Sequence, residues 1–125
     1  MSTASPTVPS ALPGASVAPG EITLTVLTAA LDRGESPALL EALPAMHFAR
    51  GHLPGARRID HADAPAQVAA LGLSMDAPIV VYCANAACQN SHLAAAALTR
   101  AGYRHVRVFA GGKAAWQEAG RALVT

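Results

Sequence analysis

The chain has 125 residues, and at roughly 150 residues per domain this length predicts one compact domain rather than two. With 52% hydrophobic and 14% charged residues, the composition excludes a wholly disordered chain and predicts a core of mainly aliphatic and alanine side chains. The formal net charge of +1, without a basic block, disfavours a protein that grips nucleic acid or an anionic membrane surface. We therefore expect no nucleic-acid partner.

The first twenty residues differ in composition from the rest. Residues 1–20 are rich in Ser, Ala, Pro and Gly, carry no charged side chain, and show no apolar periodicity. They lack the positive start of a secretory signal, and the chain has no run of about 18 apolar residues that could cross a membrane. We expect a flexible leader over residues 1–20, a folded domain over 21–125, a cytoplasmic location and no membrane partner.

The first half of the domain mixes helical and extended patterns. Thr23 predicts the N-cap of a helix with leucines on one face, and Gly34 predicts its end. The apolar run 38–43 lies between two prolines and predicts a strand. Residues 57–60 predict a second strand, followed by a helix over 65–71 that begins at a proline.

The second half alternates more regularly. Residues 78–82 predict a buried strand, 91–101 a helix and 106–109 another strand. The Gly111-Gly112 pair predicts a tight turn into a last helix, in which Trp116 anchors the core. This alternation predicts an α/β fold with a mainly parallel central sheet flanked by helices.

The loop after the central strand is the candidate site, because reactive groups in such sheets lie beyond the carboxyl ends of strands. Cys83 ends that strand, and main-chain N–H groups with a helix N-terminus can hold its sulfur as a thiolate. Small and hydrogen-bonding residues form the rest of the predicted active loop: Ala84, Asn85, Ala86, Ala87, Gln89, Asn90 and Ser91. The alternative is that Cys83 is a small buried apolar residue without chemistry.

The chain has two cysteines, and the second, Cys88, lies in the same loop. It could act as a resolving thiol and attack a persulfide or sulfenic acid on Cys83, provided that the two Cα atoms approach to about 4.4–6.8 Å. The alternative is that Cys88 only packs beneath the loop. No histidine stands at ligand spacing from these thiols, so we predict neither a metal nor a cofactor.

Several motifs in order along the chain resemble the rhodanese-like domain family. They are Gly51-His52-Leu53-Pro54-Gly55-Ala56, Val80-Val81-Tyr82-Cys83, Gly111-Gly112 and Trp116. The resemblance implies a single rhodanese-like domain that acts as a sulfurtransferase or sulfur carrier. Cys83 is then the nucleophile that takes a sulfane sulfur from a donor such as thiosulfate, holds it as a persulfide, and passes it to a thiol or other nucleophilic acceptor, which could be a protein. The Cys-x4-Cys-x2-Ser loop is similar to that of one subgroup of the family.

The family pattern also assigns neighbouring positions. Glu41 stands where many relatives carry Asp, and with His92 it is a candidate for the pocket. The family loop normally has a basic residue before its Ser or Thr, whereas this chain has Asn90 there and no Arg or Lys in the loop. A neutral hydrogen bond is weaker than a charge-assisted one, so we predict weak activity toward thiosulfate.

Two other functions fit the same residues. One is a thiol redox sensor in which Cys83 and Cys88 interconvert between dithiol and disulfide. The other is a non-catalytic binding module whose loop recognises a partner. Addition of one sulfur atom to Cys83 would distinguish the sulfurtransferase or sulfur carrier from both alternatives.

Overall fold

The computed structural model describes residues 20–125. In this part of the chain four parallel strands form one sheet in the order β2-β1-β3-β4. The strands are β1 (Ala38–Glu41), β2 (Arg57–Arg58), β3 (Ile79–Tyr82) and β4 (Val106–Phe109). The helices are α1 (Leu24–Asp32), α2 (Ala45–Arg50), α3 (Ala64–Ala70), α4 (Asn90–Arg100) and α5 (Gly112–Glu118), with a 3-10 turn at His61–Asp63 before α3. The predicted single α/β domain with a parallel sheet flanked by helices is confirmed.

The predicted leader lies, apart from Gly20, outside the described residues. The carbonyl of Gly20 accepts a hydrogen bond from the Val108 amide at 2.7 Å, so contacts with the sheet already begin there. The division of the chain at residue 20 stays a prediction. Within residues 20–125 no helix has the length and apolar character that crossing a membrane requires.

Strand β3 occupies the centre of the sheet because its residues suit burial on both faces. Its sequence is Ile-Val-Val-Tyr, and all four side chains are buried. In register, Val80 pairs with Leu39 of β1 on one side and with Arg107 of β4 on the other. A strand flanked on both sides and covered on both faces must be apolar throughout, as this one is.

Two apolar clusters cover the two faces of the sheet. On one face, Val81 belongs to a cluster with Val68 of α3 and Leu98 of α4. The opposite face carries a cluster in which Leu27 of α1 and Trp116 of α5 join alternate strand residues. Burying each such side chain contributes about 1.5–3 kcal/mol to stability. Trp116 is 4% exposed, so its predicted core position is confirmed.

The helix boundaries follow the predicted signals closely. The Thr23 side chain accepts a hydrogen bond from the Val26 amide at 3.1 Å, as an N-cap should, and Gly34 has a φ of 88° just beyond α1. Helices α3 and α4 each begin and end one residue before their predicted limits. The helix predicted between Thr23 and Gly34 and the one predicted over 91–101 are therefore both present in the fold.

Three differences concern the segment between β1 and α3. Strand β1 ends at Glu41 rather than residue 43, and β2 contains only Arg57–Arg58. The amide of Ile59 still bonds to the Glu41 carbonyl at 2.9 Å before the chain leaves the sheet edge. Helix α2 was not predicted, because none of its side chains is buried and it has no apolar face to give a periodic signal.

Candidate active site

Cys83 lies at the carboxyl end of the central strand, directly after Tyr82. Its residue is 1% exposed, and its Sγ is 3.4 Å from Oγ of the buried Ser91, within hydrogen-bond distance. Ser91 belongs to the first turn of α4. The strand end and the helix start therefore bring together the predicted nucleophile and one predicted member of its loop.

The N-terminus of α4 supplies positive potential beside this sulfur. The N-cap residue Gln89 makes no side-chain capping bond, and the amides of residues 90–92 have no hydrogen-bond acceptor within residues 20–125. Unsatisfied amides at the start of an 11-residue helix favour a nearby anion. A thiolate on Cys83 would gain from this potential and from the Ser91 hydroxyl.

The two cysteines of the loop form a disulfide. The Cα atoms of Cys83 and Cys88 are 6.3 Å apart, within the range that a disulfide spans. Asn85 shapes the chain between them, because its side-chain oxygen accepts from the Ala87 amide at 3.0 Å and its carbonyl accepts from the Cys88 amide at 3.2 Å. The sequence-predicted pair is thus brought together in one short turn.

The other predicted loop residues surround this turn at different depths. Exposed positions are Asn85, Ala86, Ala87 and Gln89, while half-buried ones are Ala84, Cys88, Asn90 and His92. The His92 side chain makes no hydrogen bond to Cys83 or to any other residue from 20 to 125. The loop therefore offers an outer surface of small side chains and amides rather than a charged one.

Helix α5 presses its first turn against the start of the loop. The Lys113 amide donates to the Cys83 carbonyl at 3.0 Å, and the Ala114 amide donates to the Ala84 carbonyl at 2.9 Å. Gly112 has a φ of 60°, and a Cβ there would overlap the Cys83 carbonyl oxygen. The predicted tight turn at the glycine pair beside the active loop is confirmed, since only glycine allows this approach.

Glu41 is fully buried at the end of β1, where it holds a polar network together. Its Oε2 is 3.0 Å from Nζ of Lys113, and its Oε1 accepts from the Tyr82 hydroxyl at 2.8 Å. The same hydroxyl accepts from the Leu53 amide at 3.1 Å, and Lys113 Nζ also donates to the His47 carbonyl at 2.8 Å. Glu41 thus joins α5 to the sheet, beside the strand that carries Cys83.

Burial raises the pKa of Tyr82 far above its usual range, and the charge of Glu41 raises it further. The hydrogen bond from the Leu53 amide acts in the opposite direction and is outweighed. Tyr82 therefore remains a protonated donor to the carboxylate. Sequence reasoning missed Tyr82 and Lys113 as members of this network, because 41 residues separate Tyr82 from Glu41 and only the strand pairing brings them together.

His52 lies in the Gly-His-Leu-Pro-Gly-Ala turn, and its contacts hold the local structure together. Its Nδ1 is 3.1 Å from the Phe48 carbonyl, its ring stacks on that of Phe48, and its backbone pairs with Val124. These contacts tie the His52 imidazole to neighbouring groups and not to Cys83. Within the described residues, no group of three or more His, Cys, Asp or Glu side chains is placed to hold a metal ion.

Comparison with known proteins supports the assignment made from the motifs. The family profile described as the rhodanese-like domain matches residues 23–119. Among solved structures, the Alr3790 protein from Anabaena sp. is 28% identical over 82% of this chain and 90% of that chain, with a TM-score of 0.73. Curated proteins give no significant match.

Two similar structures are named as sulfurtransferases. The human single-domain sulfurtransferase TSTD1 is 22% identical, with a TM-score of 0.69 over 81% of this chain and 97% of that chain. A thiosulfate sulfurtransferase from Pseudomonas aeruginosa is 23% identical, with a TM-score of 0.72 over 83% of this chain and 20% of that chain. At this level of identity the two comparisons show a shared fold. With the motifs, the parallel sheet and the profile match over residues 23–119 in agreement, the chain belongs to the rhodanese-like domain family.

Proposed function

We propose that the protein is a single-domain sulfurtransferase or sulfur carrier that forms a persulfide on Cys83. The observation that carries the proposal is the position of Cys83 at the end of the central strand, with its Sγ 3.4 Å from Ser91 Oγ at the start of α4. A hydroxyl donor and a helix N-terminus favour the thiolate, which is the nucleophilic form of cysteine. The family membership and the named sulfurtransferases of the same fold favour this function over a redox sensor or a binding module.

The proposed reaction has two displacement steps. The Cys83 thiolate attacks the sulfane sulfur of a donor, the donor's bond to that sulfur breaks, and the bonding pair leaves with the donor fragment. With thiosulfate the fragment is sulfite, and with an organic persulfide it is a thiolate. A nucleophilic acceptor then takes the outer sulfur, and Cys83 is released as a thiolate.

We expect organic persulfides to react better than thiosulfate, whose two negative charges lie on the group that must enter the loop. The active loop contains no Arg or Lys, and Asn90 occupies the place of the usual basic residue. Lys113 does not replace it, because its Nζ is paired with Glu41 and bonded to the His47 carbonyl. The sulfonate end of thiosulfate therefore lacks a charge-assisted partner in the loop.

The Cys-x4-Cys-x2-Ser spacing supports assignment to the subgroup of the family that carries this loop. The cycle needs Cys83 in its reduced form, which fits the reducing cytoplasm that we propose as its location. The acceptor is a small thiol, another nucleophile or a protein thiol that reaches the exposed loop.

Intact-mass spectrometry tests the proposal on a chain with one thiol. Cys88→Ser protein is reduced, desalted and treated with glutathione persulfide or thiosulfate. We expect a mass gain of one sulfur atom, which cyanide removes, and a larger yield from glutathione persulfide. The Cys83→Ser protein should gain nothing, and Cys88→Ala provides a second background if the serine variant folds poorly. If Cys83 gains no sulfur in either background, the proposal is wrong.

A further inference from the structure

The geometry of the active loop assigns a chemical role to Cys88. Asn85 bonds to the amides of Ala87 and Cys88, and this turn directs Cys88 back toward Cys83 until the Cα atoms are 6.3 Å apart. A turn held by a side chain and a carbonyl reduces the conformational freedom that two thiols must lose to react. The second thiol is therefore held within reach of the first.

The sulfur of Cys88 also uses the one bond of Cys83 Sγ that a transferred sulfur would need. In the disulfide, its Sγ is bonded to the Cys83 Sγ, the atom to which the outer sulfur of a persulfide would be bonded. Cys83 is 1% exposed in this state, whereas Cys88 is half-buried and reachable from solvent. The persulfide and the disulfide are thus mutually exclusive states of one site.

We propose that Cys88 resolves the Cys83 persulfide and that the protein thereby releases hydrogen sulfide. This activity rests on the proposed persulfide. The Cys88 thiolate attacks Cys83 Sγ, a new sulfur–sulfur bond forms between the two residues, and the bond to the outer sulfur breaks. The bonding pair leaves with the outer sulfur as hydrosulfide. The persulfide and one thiol become a disulfide and hydrosulfide, so no external oxidant is needed.

Attack on Cys83 Sγ is favoured over attack on the outer sulfur. The disulfide shows that the loop can bring Cys88 Sγ into bonding contact with Cys83 Sγ. A tethered thiol also acts at an effective concentration on the order of 1 mM or more, so it competes with free thiol acceptors. Release of sulfide is therefore expected to precede transfer to an outside acceptor at low acceptor concentration.

A dithiol reductant of the thioredoxin class completes the cycle. It supplies two electrons by attacking the sulfur of Cys88, the half-buried and thus more exposed of the two residues, and forms a transient mixed disulfide. Cys83 then leaves as a thiolate, next to Ser91 Oγ and the first turn of α4. The second thiol of the reductant resolves the mixed disulfide and frees Cys88. The sulfur released in this step, Cys83 Sγ, is the atom that must react with the next sulfane donor.

The test follows sulfide and thiols after a single loading. Reduced wild-type protein is treated with glutathione persulfide, rapidly desalted and sampled over time for sulfide, free thiols and intact mass. We expect one sulfide for each disulfide formed, loss of both thiols, and release at least about tenfold faster than from Cys88→Ser. A sample carried through without donor should keep both thiols over the same period.

The outcomes separate this inference from the proposed function. If Cys88→Ser gains sulfur but wild-type protein keeps its persulfide equally long, the resolving role is wrong and the sulfurtransferase proposal stands. Peptide mapping that finds the sulfane sulfur on Cys88 indicates a relay and also overturns sulfide release. Disulfide formation at the same rate without donor would show simple oxidation instead. If Cys83 is never loaded in either protein, the proposed function itself fails.

Discussion

The hydroxyl of Tyr82 is the hydrogen-bond partner of two buried groups, Oε1 of Glu41 and the amide of Leu53, and neither has another partner within residues 20–125. It donates to Oε1 of the fully buried Glu41 and accepts from the amide of Leu53, which is also buried. Burying such groups without partners costs more than the hydrogen bonds themselves contribute. The hydrogen bonds of both buried groups therefore depend on one phenolic oxygen.

We predict that Tyr82→Phe lowers the free energy of unfolding by about 2 kcal/mol or more, because a buried carboxylate oxygen and a buried amide lose their partner. Urea denaturation followed by circular dichroism measures the change. Tyr103→Phe is the matched control, since Tyr103 is buried but its hydroxyl makes no hydrogen bond within residues 20–125. Equal losses in the two variants would contradict the role assigned to the Tyr82 hydroxyl.

Asp60 has a lowered pKa because side-chain hydrogen bonds favour its charged form. The strongest cause is Gln67, whose Nε2 donates to Oδ2 at 3.0 Å, followed by Arg58, whose Nη1 donates to Oδ1 at 2.8 Å. Since the pKa is lower in the folded state, this contribution to stability is present above the unfolded-state pKa. It is lost as the pH falls through the folded-state pKa.

We predict that Gln67→Ala raises the pKa of Asp60 toward its ordinary value. The free energy of unfolding should then depend on Asp60 over a narrower range of acidic pH. An NMR titration of the Asp60 carboxyl carbon measures the shift. Gln117→Ala serves as the control, because Gln117 is exposed on α5 and makes no hydrogen bond to Asp60. An unchanged Asp60 pKa in Gln67→Ala would show that the amide is not the main cause.

At the scale of elements, α5 positions the active loop through its backbone. The amides of Lys113 and Ala114 bond to consecutive carbonyls at the end of β3, and the missing side chain of Gly112 makes this approach possible. The buried pair of Lys113 with Glu41 adds a side-chain link between the same helix and β1. The helix is thus joined to two neighbouring strands at the edge where Cys83 lies.

We predict that Gly112→Ala lowers the free energy of unfolding by more than the ~1 kcal/mol expected from placing a side chain at a positive φ. The variant should also give a lower yield of Cys83 persulfide, because the added Cβ overlaps the Cys83 carbonyl oxygen. Urea denaturation and mass spectrometry measure the two effects. Gly120→Ala is the matched control: its φ of 84° imposes similar backbone strain, but no atom lies within 4 Å of the added Cβ. A loss of loading as large in Gly120→Ala would rule out the local contact as the cause.

Elements with a clear physical signal were predictable from the sequence. The β-branched run of β3 and the capped, one-faced helix α1 both appear as expected. Helix α2 was missed because it has six residues, none fully buried, and only Phe48 packs in part against the core. At the site, the loop cysteines could be paired from their short spacing, whereas the contact of Glu41 with Lys113 depends on strand order and helix docking that no local pattern encodes.

At the scale of the whole molecule, the disulfide lies outside the two apolar clusters that stabilise the sheet. Neither Cys83 nor Cys88 belongs to the two apolar clusters that cover the sheet. The bond closes a loop with a sequence separation of 5, for which the chain-entropy treatment gives about 2 kcal/mol. Most of the stability must therefore come from the packed faces of the sheet.

We predict that reduction lowers the free energy of unfolding by no more than about 2 kcal/mol and leaves a cooperative transition, because the apolar clusters remain intact. Urea denaturation with and without a thiol reductant provides the measurement. Cys88→Ser should show no dependence on the reductant. Loss of cooperativity on reduction would show that the fold, and not only the loop, needs the bond.

The two amides that α5 gives to Cys83 and Ala84 hold one end of the loop in place while the other end carries the second thiol. When the bond between the cysteines is reduced, Cys83 Sγ becomes free to bond to another sulfur, while the turn at Asn85 keeps Cys88 within reach of it. Reduction therefore prepares both thiols at once, Cys83 to react with a donor and Cys88 to resolve the product. A sulfur donor can react with Cys83 only after a two-electron reduction has opened the disulfide.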